Sequence, residues 1–268
     1  MRDESRDEPP AAGLEPSAIL EALANGELEL LGRLVGSSNN AMVVRVWPAG
    51  ALPDPAEPTR PIGDGDLLAV WKPTHGEQPL FDFPIGTLTR REVAAFLVSE
   101  ALGWGIVPPT LLRHGPFGEG MLQRWIDADP DADVIAMVND DDGRLRRVAV
   151  FDAIVNNTDR KAGHLLPIPG GHLHAVDHGV TFSVVPKLRT VLWAWEGDPF
   201  DADEIAGLER VAEALGTVAA PGPLASALRE LLAAPEVNAT RARVAELLAT
   251  RRFPSPNPDW PAIPWPPY

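Results

Sequence analysis

The chain has 268 residues, 45% of them hydrophobic, enough to bury a sizeable core as one two-lobed domain or two small ones. It has no cysteine, which excludes disulfides, thiolate metal sites and cysteine nucleophiles together. A formal charge of −15 argues against general affinity for nucleic acid or anionic lipid, and without a signal peptide or an apolar run of about 18 residues a cytoplasmic protein with no integral membrane association is expected.

Residues 1–16, charged and Pro-rich, are expected to be a disordered tail. Ser17 is a candidate cap for a short helix through Ala24, stopped at Asn25-Gly26. Glu27 to Leu34 alternates as a strand, Gly36-Ser-Ser-Asn-Asn40 reads as a turn, and Met42 to Trp47 as a second strand. A Pro-, Gly- and Asp-rich loop, 48–66, leads to a third strand, Leu67 to Lys72. Thr89-Arg-Arg-Glu92 has the capping-box pattern and predicts a helix to Leu102, ended by Gly103. Ile106 to Leu112 and Gly120 to Trp125 read as strands, whereas the acidic stretch Asp127 to Asp142 gives no clear assignment. Leu145 to Val155 is an apolar helix leading into the loop around Asp159, and 165–168 with 172–176 predicts a small hairpin ending at Asp177. Three helices follow, Asp203 to Leu215, Pro223 to Leu232 and Val237 to Arg251, and then a Pro- and Trp-dense tail, 253–268, that should pack on the surface. The predicted class is α+β, a two-lobed protein-kinase-like fold. A β-rich N-lobe with one helix (17–125) precedes a mostly helical C-lobe (126–252).

Candidate chemistry concentrates in Asn156-Asn-Thr-Asp-Arg-Lys-Ala-Gly-His164 and Val176-Asp-His-Gly179. A phosphotransferase needs an Asp to orient the acceptor hydroxyl, a cation on the γ-phosphate and a second Asp to hold a divalent ion. Asp159, Lys161 and Asp177 supply those parts in that order. His164 stands five residues after Asp159, where kinases carry an Asn metal ligand; an imidazole there suits Mn²⁺ or Zn²⁺ better than Mg²⁺. Arginine has nearly replaced lysine, and only Lys72, Lys161 and Lys187 occur. Lys72 ends an apolar strand, where it would be costly to bury without a carboxylate or phosphate. Glu92 is a natural partner for it, although the capping box gives Glu92 a competing local role. In the hairpin tip, Ser37, Ser38 and Asn39 could present N–H groups and hydroxyls to phosphate.

Together, Glu92-Val-Ala-Ala-Phe-Leu-Val98, Gly103-Trp-Gly-Ile-Val-Pro-Pro-Thr110, Asn157-Thr-Asp-Arg160, Val176-Asp-His-Gly179 and Trp193-Ala-Trp195 resemble the phosphatidylinositol 3-/4-kinase superfamily. The likeness is strongest to its type II phosphatidylinositol 4-kinase branch and to a family of small actinobacterial kinase-like proteins, and it covers roughly residues 25 to 200. It implies ATP between two lobes with Mg²⁺ or Mn²⁺, Lys72 on phosphate oriented by Glu92, Asp159 as the catalytic Asp and Asp177 as metal ligand. It also implies that Leu122 to Trp125, with Gln123 and Trp125, is the hinge that meets adenine. The acceptor is expected to be a soluble small molecule or a protein rather than a bilayer lipid, because Lys187 and Arg189 are the only lysine and arginine between Asp177 and Pro199.

Two other readings compete. One is a pseudokinase, a nucleotide-binding scaffold disabled at His164 whose acidic surface and tail bind a protein partner. The other is a transition-metal enzyme using His164, His172, His174 and His178.

Overall fold

The computed structural model describes residues 15–34, 40–54, 60–63 and 65–268. Its contacts divide the chain into two compact units: Met1–Gln78 with Pro109–Trp125, and Pro79–Pro108 with Ile126–Tyr268.

In the first unit, α1 (Pro16–Asn25) precedes β1 (Glu27–Arg33), β2 (Met42–Trp47) and β3 (Leu67–Pro73). The hairpin β4 (Thr110–Gly115) and β5 (Gly118–Arg124) completes an antiparallel sheet in the order β1-β2-β3-β5-β4. Side chains of β3 alternate strictly, with Leu67, Ala69 and Trp71 buried. They join Ile19 and Leu23 of α1 and Val44 and Leu122 in one cluster. Lys72 therefore stands on the face opposite Trp71, in register with Met121. The sheet tolerates the Trp71 ring because Gly115 and Gly120 leave it room; a Cβ at either would come within 2.8 Å of an indole carbon. Two local expectations fail. Pro16 occupies the first turn of α1 and no side chain caps it, since a residue with no N–H suits that position and leaves Ser17 inside the helix. The strand expected from Ile106 starts only at Thr110, because the Ile106 carbonyl accepts from the Ala175 N–H instead.

The second unit holds α2 (Leu88–Leu102), α3 (Val134–Asn139), α4 (Arg146–Val155), the hairpin β6 (Leu165–Pro167) and β7 (Leu173–Ala175), then α5 (Ala202–Leu215), α6 (Pro223–Arg229) and α7 (Ala234–Thr250). The capping box expected at Thr89 does not form. α2 begins two residues earlier with Thr87 at its cap, Thr89 is buried in the first turn, and Glu92 is directed elsewhere. A true capping box starts α5 instead: Asp201 accepts from the Glu204 N–H at 2.8 Å and Glu204 accepts from the Asp201 N–H at 2.8 Å. In the acidic stretch that sequence left unassigned, Asp133 caps the short α3 by accepting from the Ala136 N–H. α6 stops at Arg229, short of the expected Leu232, and α7 starts at Ala234, with Pro235 in its first turn.

Candidate active site

α4 ends at Val155, and the left-handed backbone of Asn156 that caps it (φ 52) turns the chain sharply. Its side chain then fastens a distant segment. The amide nitrogen donates to the carbonyls of Ser183 and Val185, and the amide oxygen accepts from the Lys187 N–H. Asn157 follows, its nitrogen donating to Asp152 at 3.0 Å and its oxygen accepting from the Asp159 N–H at 3.0 Å. The Thr158 hydroxyl donates to the Val180 carbonyl. Consecutive side chains thus fix the loop backbone on both sides of Asp159.

Beneath it lies a buried ion pair. Arg160 and Asp152 are both fully buried, and the guanidinium meets the carboxylate through Nε to Oδ2 and Nη2 to Oδ1, each at 2.9 Å. Arg160 also donates to the Val176 carbonyl at 2.9 Å and to His178 Nε2 at 2.6 Å. A guanidinium can only donate, so Nε2 is the acceptor and the imidazole carries its proton on Nδ1. The His178 backbone N–H donates to Glu92 Oε2 at 2.8 Å. Asp152, Arg160, His178 and Glu92 therefore form one connected polar chain from α4 to α2. Its members are buried, where an unpaired polar group would be costly.

Asp159 is left partly open, its side chain 28% exposed, with Lys161 Nζ 3.4 Å from Oδ2 and Arg189 Nη2 3.4 Å from Oδ1. Arg189 is itself held, its Nε donating to the Thr158 carbonyl at 2.9 Å. Lys161 and Arg189 thus flank the carboxylate, one on each oxygen, and fix its orientation.

His164 closes a 3₁₀ turn (Ala162–His164) just before β6, and Asp177 follows β7 in a left-handed conformation (φ 62). The β6–β7 pairing and a hydrogen bond from the Val176 N–H to the His164 carbonyl bring the two together. His164 Nε2 lies 3.4 Å from Asp177 Oδ2. Burial holds the imidazole below its ordinary pKa of 6.5, and the Asp177 carboxylate only partly offsets that shift. It is therefore neutral at neutral pH, the form that ligates. Adjacent ligands on a divalent ion at about 2.1 Å sit roughly 3 Å apart, so this pair fits one ion.

Of the other expected residues, Lys72, Gln123 and Trp125 belong to the first unit, whereas Glu92, Asp159, Lys161, His164 and Asp177 belong to the second. Gln123 is buried and donates to the Thr110 hydroxyl at 2.8 Å; the Trp125 N–H donates to the Leu68 carbonyl. Ser37, Ser38 and Asn39 lie outside the described residues. The histidine metal centre is not formed. Among the described residues no three His, Asp or Glu side chains converge on one ion, and His178 is engaged by Arg160. Sequence reasoning missed Arg189, Asp152 and the role of His178. Of these, Asp152 left a signal, as the one carboxylate inside the apolar run of α4.

No protein-family model matches the sequence. Over 279 aligned residues the chain is 40% identical to Protein Rv2133c of Mycobacterium tuberculosis, covering 91% of this chain and 93% of the relative. The chain belongs to the Rv2133c family. Among solved structures, this Rv2133c-family protein is similar to hydra Fam20 solved with sugar, with a TM-score of 0.51 at 12% identity over 86% of each chain. It also aligns with the Helicobacter pylori proinflammatory kinase CtkA, with a TM-score of 0.48 at 11% identity over 86% of this chain and 94% of that one. At such identities the likeness to hydra Fam20 shows the fold alone: a kinase-like α+β fold, as the order of elements predicts. Among the described residues no helix is long and apolar enough to cross a membrane.

Proposed function

We propose that this protein is a metal-dependent ATP phosphotransferase of the phosphatidylinositol 3-/4-kinase-like type, acting on the hydroxyl of an acceptor other than a bilayer lipid. The observation that carries the reading is the 3.4 Å approach of His164 Nε2 to Asp177 Oδ2 on the hairpin that follows the Asp159 loop. A fold of kinase type supports it.

In this reading Asp177 and His164 hold Mg²⁺ or Mn²⁺, which when bound neutralises charge on the phosphates. Asp159 accepts a hydrogen bond from the acceptor hydroxyl and receives its proton as the γ-phosphoryl group is transferred. Lys161 neutralises charge developing on that group. Glu92, by receiving the His178 N–H, holds the backbone next to Asp177 in place. Lys72, Gln123 and Trp125 are assigned to ATP on the strength of the resemblance, and Ser37, Ser38 and Asn39 likewise. A nucleotide-binding scaffold without turnover is the second reading; it shares the metal-dependent ATP binding and differs in giving no phosphate transfer.

The test is calorimetric titration of ATP with Mg²⁺, with Mn²⁺ and with neither, beside Asp177→Asn. Asn tolerates the left-handed backbone that Ala would strain, so the variant removes charge and little else. Metal-dependent binding lost in the variant is expected. Absence of binding by the folded protein with either metal would remove the reading.

A further inference from the structure

The Pro- and Trp-rich segment 253–268 is bound to the Asp159 loop itself. The Ala162 N–H donates to the Pro267 carbonyl at 3.0 Å, and the Thr190 N–H donates to the Ala262 carbonyl at 3.0 Å. Trp193 Nε1 donates to that same carbonyl at 2.9 Å, and the Asn257 amide donates back to the Pro186 carbonyl at 2.8 Å. The ammonium of Lys187 lies 5.5 Å from the centre of the Trp260 ring. Both backbone contacts fall one residue from a cation that grips Asp159, Ala162 beside Lys161 and Thr190 beside Arg189.

We propose that residues 262–268 act as a built-in peptide on the acceptor face of Asp159. They restrict the acceptor to a compact small molecule bearing a hydroxyl and exclude extended polypeptides. This rests on the phosphotransferase reading above and narrows its substrate class. An extended polypeptide gains most of its affinity from main-chain hydrogen bonds along the surface that receives it. Here the N–H groups of Ala162 and Thr190, each next in sequence to a cation on Asp159, are already taken by Pro267 and Ala262. The segment is suited to that occupancy. Pro261, Pro264, Pro266 and Pro267 have no N–H to satisfy, offer carbonyls, and lose little conformational freedom on docking. Pro264 is buried, so the segment is seated and not merely adjacent. A small molecule needs no main-chain donors, only access to the partly exposed Asp159 carboxylate.

Two measurements on the full chain test this, beside two variants. One variant lacks 254–268 but keeps Phe253, which is buried against Phe200. The other, Ala162→Pro, removes only the N–H that reaches Pro267. Proline is tolerated there because Ala162 opens a 3₁₀ turn and Lys161 before it is extended.

The first measurement is amide hydrogen exchange. The Ala162 and Thr190 amides should exchange slowly in the full chain, and Thr190 about tenfold faster once the segment is gone. Equal exchange with and without it overturns the proposal and leaves the phosphotransferase reading standing. The second is phosphate transfer from labelled ATP with Mn²⁺ to two pools: free inositol, hexoses, other polyols and nucleosides, against unfolded casein and a degenerate serine/threonine peptide library. The full chain should label only the first pool, the variant lacking 254–268 should gain transfer to the second, and Ala162→Pro, which has no N–H to offer a peptide and keeps the Thr190 contact, should not. Casein or peptide labelling by the full chain overturns the proposal. Absence of transfer to either pool by any form, with metal-dependent ATP binding retained, removes the phosphotransferase reading and this inference with it.

Discussion

Replacing Arg160 by Met should destabilise the second unit more than any exposed substitution in it. The side chain is fully buried and donates to Asp152, to the Val176 carbonyl and to His178 Nε2. Methionine fills most of the volume but leaves the Asp152 carboxylate, also fully buried, with only Asn157 Nδ2 at 3.0 Å and the Thr190 hydroxyl at 3.4 Å. Neither carries charge. Breaking a buried pair from one side costs about 3–5 kcal/mol. The two further acceptors that lose a donor place this case at the upper end. For a protein of this size that corresponds to a fall in Tm of roughly 10 °C. The informative control is Arg160→Met with Asp152→Leu, which removes both charges and should recover all but about 1–2 kcal/mol. The assay is urea unfolding followed through exchange protection of the α4 amides, because α4 carries Asp152 and reports on the second unit alone. A cost below about 1 kcal/mol for Arg160→Met, or a double variant no better than the single one, would refute the reasoning.

Two further outcomes concern His164. His164→Asn places a harder amide oxygen beside Asp177, so ATP binding should shift its preference from Mn²⁺ toward Mg²⁺; an unchanged preference in paired titrations would mean that the imidazole does not ligate. Because burial lowers its pKa below 6.5, the unfolded chain binds the His164 proton more readily than the folded one. Its contribution to stability is then constant above pH 6.5 and falls as pH drops from there through the folded pKa. Denaturant unfolding of the protein beside His164→Gln, from about pH 8 to about pH 5, should show the difference turning against the native residue on the acid side. The opposite slope would contradict the burial argument.

Periodicity and motif spacing revealed much of this in advance, and the failures share a cause. The strands at 27–33, 42–47 and 67–73 and the hairpin at 165–175 follow from alternation bounded by turn residues, a local property. The juxtaposition of His164 and Asp177 follows from that hairpin. What escaped was decided by distant partners. Thr89-Arg-Arg-Glu92 reads as a cap only while its neighbours in sequence are considered; the Glu92 carboxylate instead receives a backbone N–H from residue 178. Lys187, which the sequence singles out only as one of three surviving lysines, is buried, paired with Asp82 and set over the Phe83 ring. Arg189 gives no signal at all, because its partner Asp159 lies thirty residues away.

Tyr268 is the chain's single tyrosine, and its carbonyl carbon lies 3.9 Å from where a Cβ on Gly163 would sit. Biosynthetic incorporation of fluorotyrosine would therefore yield one ¹⁹F resonance, from the residue whose backbone abuts the turn that carries His164. That resonance turns a crowded spectroscopic problem into a single-line readout of the loop under nucleotide, metal or acceptor, without any mutation.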